Sequence, residues 1–107
     1  MTTTPQLAFI GGGNMASALI GGLVTKGFTA QQIIASDVMT ETLERLKTVA
    51  PVRTTTDNEV AIANADVVVL AVKPQVMKQV LEPLAASLQK RRPLIISIAA
   101  GNCDQLY

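Results

Sequence analysis

Gln6-Leu7-Ala8-Phe9-Ile10-Gly11-Gly12-Gly13-Asn14-Met15-Ala16 is the stretch on which the reading of this chain turns. Four apolar residues, Leu7 to Ile10, run into Gly11-x-Gly13-x-x-Ala16, and apolar residues then recur at helical spacing. Strand, glycine turn and helix in that order form the signature of a site for the phosphates of a dinucleotide. Gly11 permits a tight turn out of the strand, and Ala16 lets the helix lie close to it. A side chain at Gly13 would fill the space that a diphosphate needs against the backbone. The helix N-terminus adds unpaired N–H groups and a partial positive charge. A glycine-rich turn that binds nothing has the same pattern, so the rest of the chain has to decide.

Outward from this turn, strand-like runs alternate with helical patterns to the end of the chain. Strands are expected at 6–10, 33–36, 52–55, 67–72 and 94–98. The helix after the glycines, at about 14–26, places Ala16, Leu19, Ile20, Leu23 and Val24 on its inner face and stops near Gly27. A second helix opens at Thr40, carries Leu43, Leu46 and Val49 inward, and cannot pass Pro51. Thr56-x-x-Glu59 reads as the capping box of a short third helix ending by Asn64. The run from Val67 to Val72 is continuously apolar and mostly β-branched, as in a parallel strand buried on both faces. Pro74 suits the first turn of a fourth helix reaching about Leu88, with Val76, Val80, Leu81 and Leu84 inward. Pro83 is expected to kink or divide that helix, and Lys90-Arg91-Arg92 to form a solvated loop. Alternating strands and helices imply a single doubly wound α/β domain over 1–107, Rossmann-type, with a mostly parallel sheet, right-handed crossovers and helices on both faces.

Composition narrows the function. Of 107 residues, 49% are hydrophobic and 16% charged, as in an ordered chain with a substantial core. A net charge of +1 provides no electrostatic footprint for nucleic acid or an anionic membrane. Histidine is absent and Cys103 is the one cysteine, so there is no zinc spacing, no internal disulfide and no ordinary general base. No apolar run approaches the roughly 20 residues needed to span a bilayer, and Met1-Thr2-Thr3-Thr4-Pro5 lacks the pattern of a signal peptide. A cytoplasmic location is the expectation.

In open α/β sheets, ligands bind beyond the carboxyl ends of the strands. After the first strand lie residues 11–15. After the second lies Asp37, near the separation of about 20 residues at which an acid takes the adenosine ribose hydroxyls. The alternative is a turn or cap residue before the second helix. Asp57 and Asn58 follow the third strand, where helix capping is the plainer role. Ala71-Val72-Lys73-Pro74 follows the fourth, and Ser97-Ile98-Ala99-Ala100-Gly101 begins within the fifth. Lys73 has a position suited to cofactor contact through its backbone, and nothing marks it as catalytic. Cys103 has no base beside it to make it a nucleophile.

Three of these segments in this order resemble pyrroline-5-carboxylate reductase. They are the run from Phe9 to Met15, Ala71-Val72-Lys73-Pro74, and Ser97 to Gly101; the likeness extends over essentially the whole chain. The resemblance implies reduction of the C=N bond of 1-pyrroline-5-carboxylate to proline with hydride from NADPH, NADH being also acceptable. By position, Ile10, Gly11, Gly12, Gly13, Asn14 and Met15 would form the diphosphate loop, Asp37 would face the adenosine ribose, and Asn58 would contact the adenosine side. Ala71, Val72, Lys73 and Pro74 would line the nicotinamide half, and Ala100 would sit near its ribose.

The family's second, helical domain, which dimerises and completes the imino-acid site, would lie beyond Tyr107. On this reading the chain is the cofactor-binding half of a longer enzyme, inactive alone, with no catalytic residue and no metal ligand of its own. The whole protein would be a homodimer or a higher homo-oligomer. Two other readings remain: another reductase on the same domain, such as a hydroxyacid dehydrogenase or a coenzyme F420-dependent NADP reductase, and a non-enzymatic dinucleotide-sensing module. Ala71-Val72-Lys73-Pro74 argues against a hydroxyacid dehydrogenase, and a reading frame running past Tyr107 would argue against the sensor. The nucleotide preference has conflicting signals. Asp37 puts an anion where NADP-selective sites usually carry a cation, whereas the family leans towards NADPH.

Overall fold

In the computed structural model, which describes residues 5–98, five short runs of mainly apolar or β-branched residues pair side by side. They are β1 (Leu7–Ile10), β2 (Ile33–Ser36), β3 (Arg53–Thr55), β4 (Val67–Leu70) and β5 (Leu94–Ser97). The sheet order is β3-β2-β1-β4-β5, with every pair parallel. Four helices connect the strands: α1 (Asn14–Thr25), α2 (Thr40–Val49), α3 (Asn58–Ile62) and α4 (Pro74–Arg91). Alternation along β1 sends Leu7 and Phe9 to one face, where they pack with Ile20, Leu43 and Leu46 of α1 and α2. Ala8 and Ile10 go to the other face, against Ile62 and Leu84 of α3 and α4. β4 is enclosed in the same way, Val68, Val69 and Leu70 all being buried. This is the doubly wound, Rossmann-type arrangement expected of the sequence.

The strands are level at their carboxyl ends. Ile10 stands opposite both Ser36 and Leu70, Leu70 opposite Ser97, and Ser36 opposite Thr55. Each ladder is carried one residue further by a backbone bond: Gly11 N–H to the Ser36 carbonyl at 2.7 Å, Ala71 N–H to Ile10 at 2.8 Å, and Ile98 N–H to Leu70 at 2.9 Å. The loops that leave the sheet therefore start at a common height.

Several local expectations need correction. Asp57, not Thr56, caps α3: its carboxylate accepts the Glu59 N–H at 2.9 Å, while the Thr55 hydroxyl accepts the Asp57 N–H. A carboxylate one position closer to the helix displaces the hydroxyl, being the stronger acceptor. Pro83 does not divide α4, which is one helix of 18 residues. The cost of a missing interior N–H is offset by packing on both sides of it, since Val80, Leu81, Leu84 and Leu88 all rest on the core beneath α3. Helix α4 also runs past Leu88, so Lys90 and Arg91 lie in its last turn and not in a loop. There they complement the helix dipole, and the Arg91 guanidinium donates to the Ala65 carbonyl at 2.9 Å. Leu19 and Val49, assigned inward, are 40% and 48% exposed. Gly27 does terminate α1, with φ +117° and the Phe28 N–H reaching back to the Leu23 carbonyl. β5 is an edge strand exposed along its whole length, although Leu94, Ile95 and Ile96 are apolar.

Candidate dinucleotide site

Central strands β1 and β4 lie side by side, and the residue that follows β1 must stay bare. Gly11 has φ +103°, in the left-handed region, and a Cβ built on it would lie 2.5 Å from the Ala71 carbonyl oxygen. Only glycine can turn the chain there while lying against the neighbouring strand. Gly13 is the opposite case. A Cβ at that position meets nothing within 4 Å, so the space beyond it is open.

Gly13 is also the N-cap of α1, with extended backbone. No side chain caps this helix and no acid stands in its first turn. The N–H groups of its first turn, which have no partners within a helix, therefore face the open space. The cleft beyond them has a volume of about 500 Å³ and is lined by Gly11, Gly13, Asn14, Met15, Asp37, Ala71, Val72, Lys73 and Val76. A second hollow of about 630 Å³ shares Val76 with it and continues between α3 and α4, past Val38, Asn58, Glu59 and Gln79. Together they run along the carboxyl edge of the sheet across the point where the chain winds in opposite directions from β1 and β4, the position that ligands take in this architecture. Among the described residues Lys73, which is exposed, is the one cation lining either hollow, whereas Asp37, Asp57 and Glu59 are anions.

The residues singled out from sequence fall into distinct groups. Gly11, Gly13, Asn14, Met15, Asp37, Ala71, Val72 and Lys73 meet around the first cleft. Asn58 lines the second, and its Oδ1 accepts the hydroxyl of the fully buried Ser36 at 2.5 Å. Ile10 is the last residue of β1, with its side chain buried in the core, so any part it has in the loop is through its backbone. Gly12 is likewise buried beneath the loop. Pro74 is exposed at the first position of α4, outside the lining. Ala100 and Cys103 lie outside the described residues.

Two features went unread in the sequence. Val76, Val38 and Gln79 line the hollows, and a proline at the first turn of α4 could have signalled that its third residue faces the cleft. The second is the bond from the glycine turn to Asp37. Its Oδ2 accepts the Gly12 N–H and its Oδ1 the Met39 N–H, each at 2.9 Å. It thus caps the turn into α2 and also lines the cleft.

Residues 6–101 match the protein-family model described as "NADP oxidoreductase coenzyme F420-dependent". The chain belongs to this family. Within the NADP oxidoreductases so described, its likeness is to pyrroline-5-carboxylate reductases, as its motifs indicate. The pyrroline-5-carboxylate reductase of Pseudomonas aeruginosa is 50% identical over 99 residues, covering 92% of this chain and 36% of that protein. The structure of a pyrroline-5-carboxylate reductase from Coxiella burnetii has a TM-score of 0.86 at 41% identity, covering 92% of this chain and 37% of its own. That of Plasmodium falciparum pyrroline carboxylate reductase with NADP bound has a TM-score of 0.74 at 25% identity, over 92% and 35%. The chain therefore spans a little over a third of the length of the relatives it matches. No helix among the described residues is long and apolar enough to cross a membrane.

Proposed function

We propose that this chain is the cofactor-binding part of a pyrroline-5-carboxylate reductase, an NAD(P)H-dependent oxidoreductase that reduces 1-pyrroline-5-carboxylate to proline in proline biosynthesis. The observation that carries this reading is the open face of Gly13 above an uncapped helix N-terminus, in a chain half identical to such a reductase. The fit is one of shape and backbone donors. Gly13, Asn14 and Met15 would hold the diphosphate by their N–H groups, and Lys73 would offset part of its charge. The adenosine would extend towards Asp37 and Asn58, and the nicotinamide towards Ala71, Val72 and Pro74, with Ala100 near its ribose. When bound, the dihydronicotinamide supplies hydride to the imine carbon, and a proton completes the amine. The residues of this chain bind and orient the donor and touch no reacting atom, so none is assigned a catalytic role.

NADPH is the donor expected from the likeness, with NADH also accepted. The whole protein would be cytoplasmic and a homodimer or higher homo-oligomer, its imino-acid site completed by residues outside this chain. The 107-residue chain alone would then turn over no substrate, because an imine held without its own pocket is not aligned with the donor. A misplacement of about 1 Å costs roughly 10²-fold in rate.

Calorimetric titration of the chain with NADPH and NADH tests the binding claim, with 1:1 stoichiometry and weak affinity expected. Silence with both at millimolar concentration from a folded sample would overturn it. The family description favours one other reading, an F420-dependent NADP reductase. Assaying the full-length protein for proline formation and for F420 reduction separates the two.

A further inference from the structure

Ser36, the last residue of β2, carries a hydroxyl that is closed off from water. Alternation along the strand turns it, like Ile34, towards α3 and α4. There its Oγ donates to Oδ1 of Asn58, the first residue of α3, and among the described residues this is its one side-chain hydrogen bond. Asn58 is half-buried and lines the second hollow. The backbone around it is fixed independently, since the Asp57 N–H donates to the Thr55 hydroxyl and the Asp57 carboxylate accepts the Glu59 N–H. A carboxamide has an acceptor at one end and two donors at the other, and the two ends are nearly the same size. Shape alone therefore does not choose which end faces the hollow. The Ser36 hydroxyl does choose. A buried O–H left without an acceptor is costly, and Oδ1 is the end that satisfies it. With Oδ1 turned to Ser36, the two N–H groups on Nδ2 are left for the hollow.

The walls of the hollow limit what those donors can meet. Val38, Val76, Val80 and Pro83 are apolar, Asp57 and Glu59 are anions, and no cation lines it among the described residues. Such a surface suits an uncharged ring system and repels a phosphate. We propose that Ser36 is a positioning residue: its buried hydroxyl holds Asn58 by Oδ1 and so presents the Nδ2 donors to an uncharged acceptor of the adenosine. This rests on the dinucleotide reading of the cleft. Ser36 itself touches no ligand. It acts by removing the other orientation of the amide, in which an oxygen would face the acceptor and repel it.

The test begins without nucleotide, with the side-chain order parameter of the Asn58 amide from nitrogen-15 relaxation. It should fall from near the rigid value of about 0.85 in the parent chain to below about 0.6 in Ser36→Ala. NADH and NADPH are then titrated calorimetrically into the parent, Ser36→Ala, Asn58→Ala and the double variant. Asn58→Ala should weaken both nucleotides about tenfold, the scale of one lost hydrogen bond. Ser36→Ala should weaken both about threefold, the scale of ordering one freed side chain on binding. In the Asn58→Ala background Ser36→Ala should cost no further affinity, which a merely structural role for Ser36 would not produce. Asn58→Asp keeps an acceptor for Ser36 but offers oxygen to the hollow, and it should bind no better than Asn58→Ala. An unchanged order parameter overturns the positioning, and additive losses overturn action through Asn58. Parent-like binding by Asn58→Asp overturns the donor role, and a loss confined to NADPH overturns the assignment to the adenosine. If the parent chain binds neither nucleotide, the reading of the cleft fails, while the order parameter still decides whether Ser36 holds Asn58.

Discussion

Gly11 and Gly13 are two residues apart in one turn and have opposite reasons for being glycine. Gly11 looks inward: its backbone lies against the β4 carbonyl at Ala71, its φ is positive, and its N–H extends the ladder to β2. Gly13 looks outward, with nothing within 4 Å of the side chain it lacks. The same letter therefore records a demand of the fold in one case and a reserved volume in the other. A motif written as spaced glycines merges these two demands, and the contacts of a hypothetical Cβ separate them.

The largest effect is expected from Gly11→Ala. The methyl group meets backbone at 2.5 Å and the residue is held at φ +103°, so neither a rotamer nor a flexible neighbour can relieve it. A loss of about 3 kcal/mol, on the scale of left-handed strain plus a backbone clash, should lower Tm by roughly 10–20 °C, read by circular dichroism. Gly13→Val should show the reverse. Binding of NADH and NADPH by calorimetry should be abolished, while the stability change stays within about 1 kcal/mol, the cost of a poorer N-cap. A melting shift at Gly13 as large as that at Gly11 would erase the distinction between the two. The smallest effect is expected from Lys73→Ala. As an exposed cation at the cleft it should weaken dinucleotide affinity by about threefold at low salt, and the loss should fade as ionic strength rises. A loss that persists at high salt would mean that the ammonium makes a desolvated contact.

The parts of this molecule that were legible in the sequence are those on which periodicity and position agree. Leu7–Ile10 and Ile33–Ser36 are short apolar runs bounded by turn residues and form strands where the pattern puts them, whereas the strand expected from Val67 to Val72 ends at Leu70, and Ala71 and Val72 leave the sheet to line the cleft. That ligand residues gather at the carboxyl ends of the strands was legible as a rule of the fold class; the neighbouring of β1 and β4, which brings Gly11, Gly13, Asn14 and Met15 to Ala71, Val72 and Lys73, was not. What escaped depended on choices between equivalents. Thr56 and Asp57 are both good caps, and only the backbone geometry shows which of them closes α3. Pro83 carries a strong local penalty that packing around it overrides. Asp37 was read as facing a ribose or capping a turn, and it does cap the turn. Its bond to Gly12 spans 25 positions, a distance across which no periodicity reports. β5 satisfies the strand pattern yet is exposed, because hydropathy marks a surface suited to burial without saying what lies over it.

The level strand ends have a consequence for how this chain tolerates change in length. Ile10, Ser36, Leu70 and Ser97 lie in one row, and the loops of the cleft are the first residues beyond it. Deleting a single residue within β1 would draw the glycine turn down by about 3.3 Å and exchange the inward and outward faces of the strand. A substitution of similar size in the same strand changes one contact and leaves the row intact. Insertions and deletions should therefore be tolerated best in segments that begin and end away from that row, such as the return from α1 to β2 or from α2 to β3. The numbers of residues in β1 and β4 are fixed more tightly than the identities of most of their side chains.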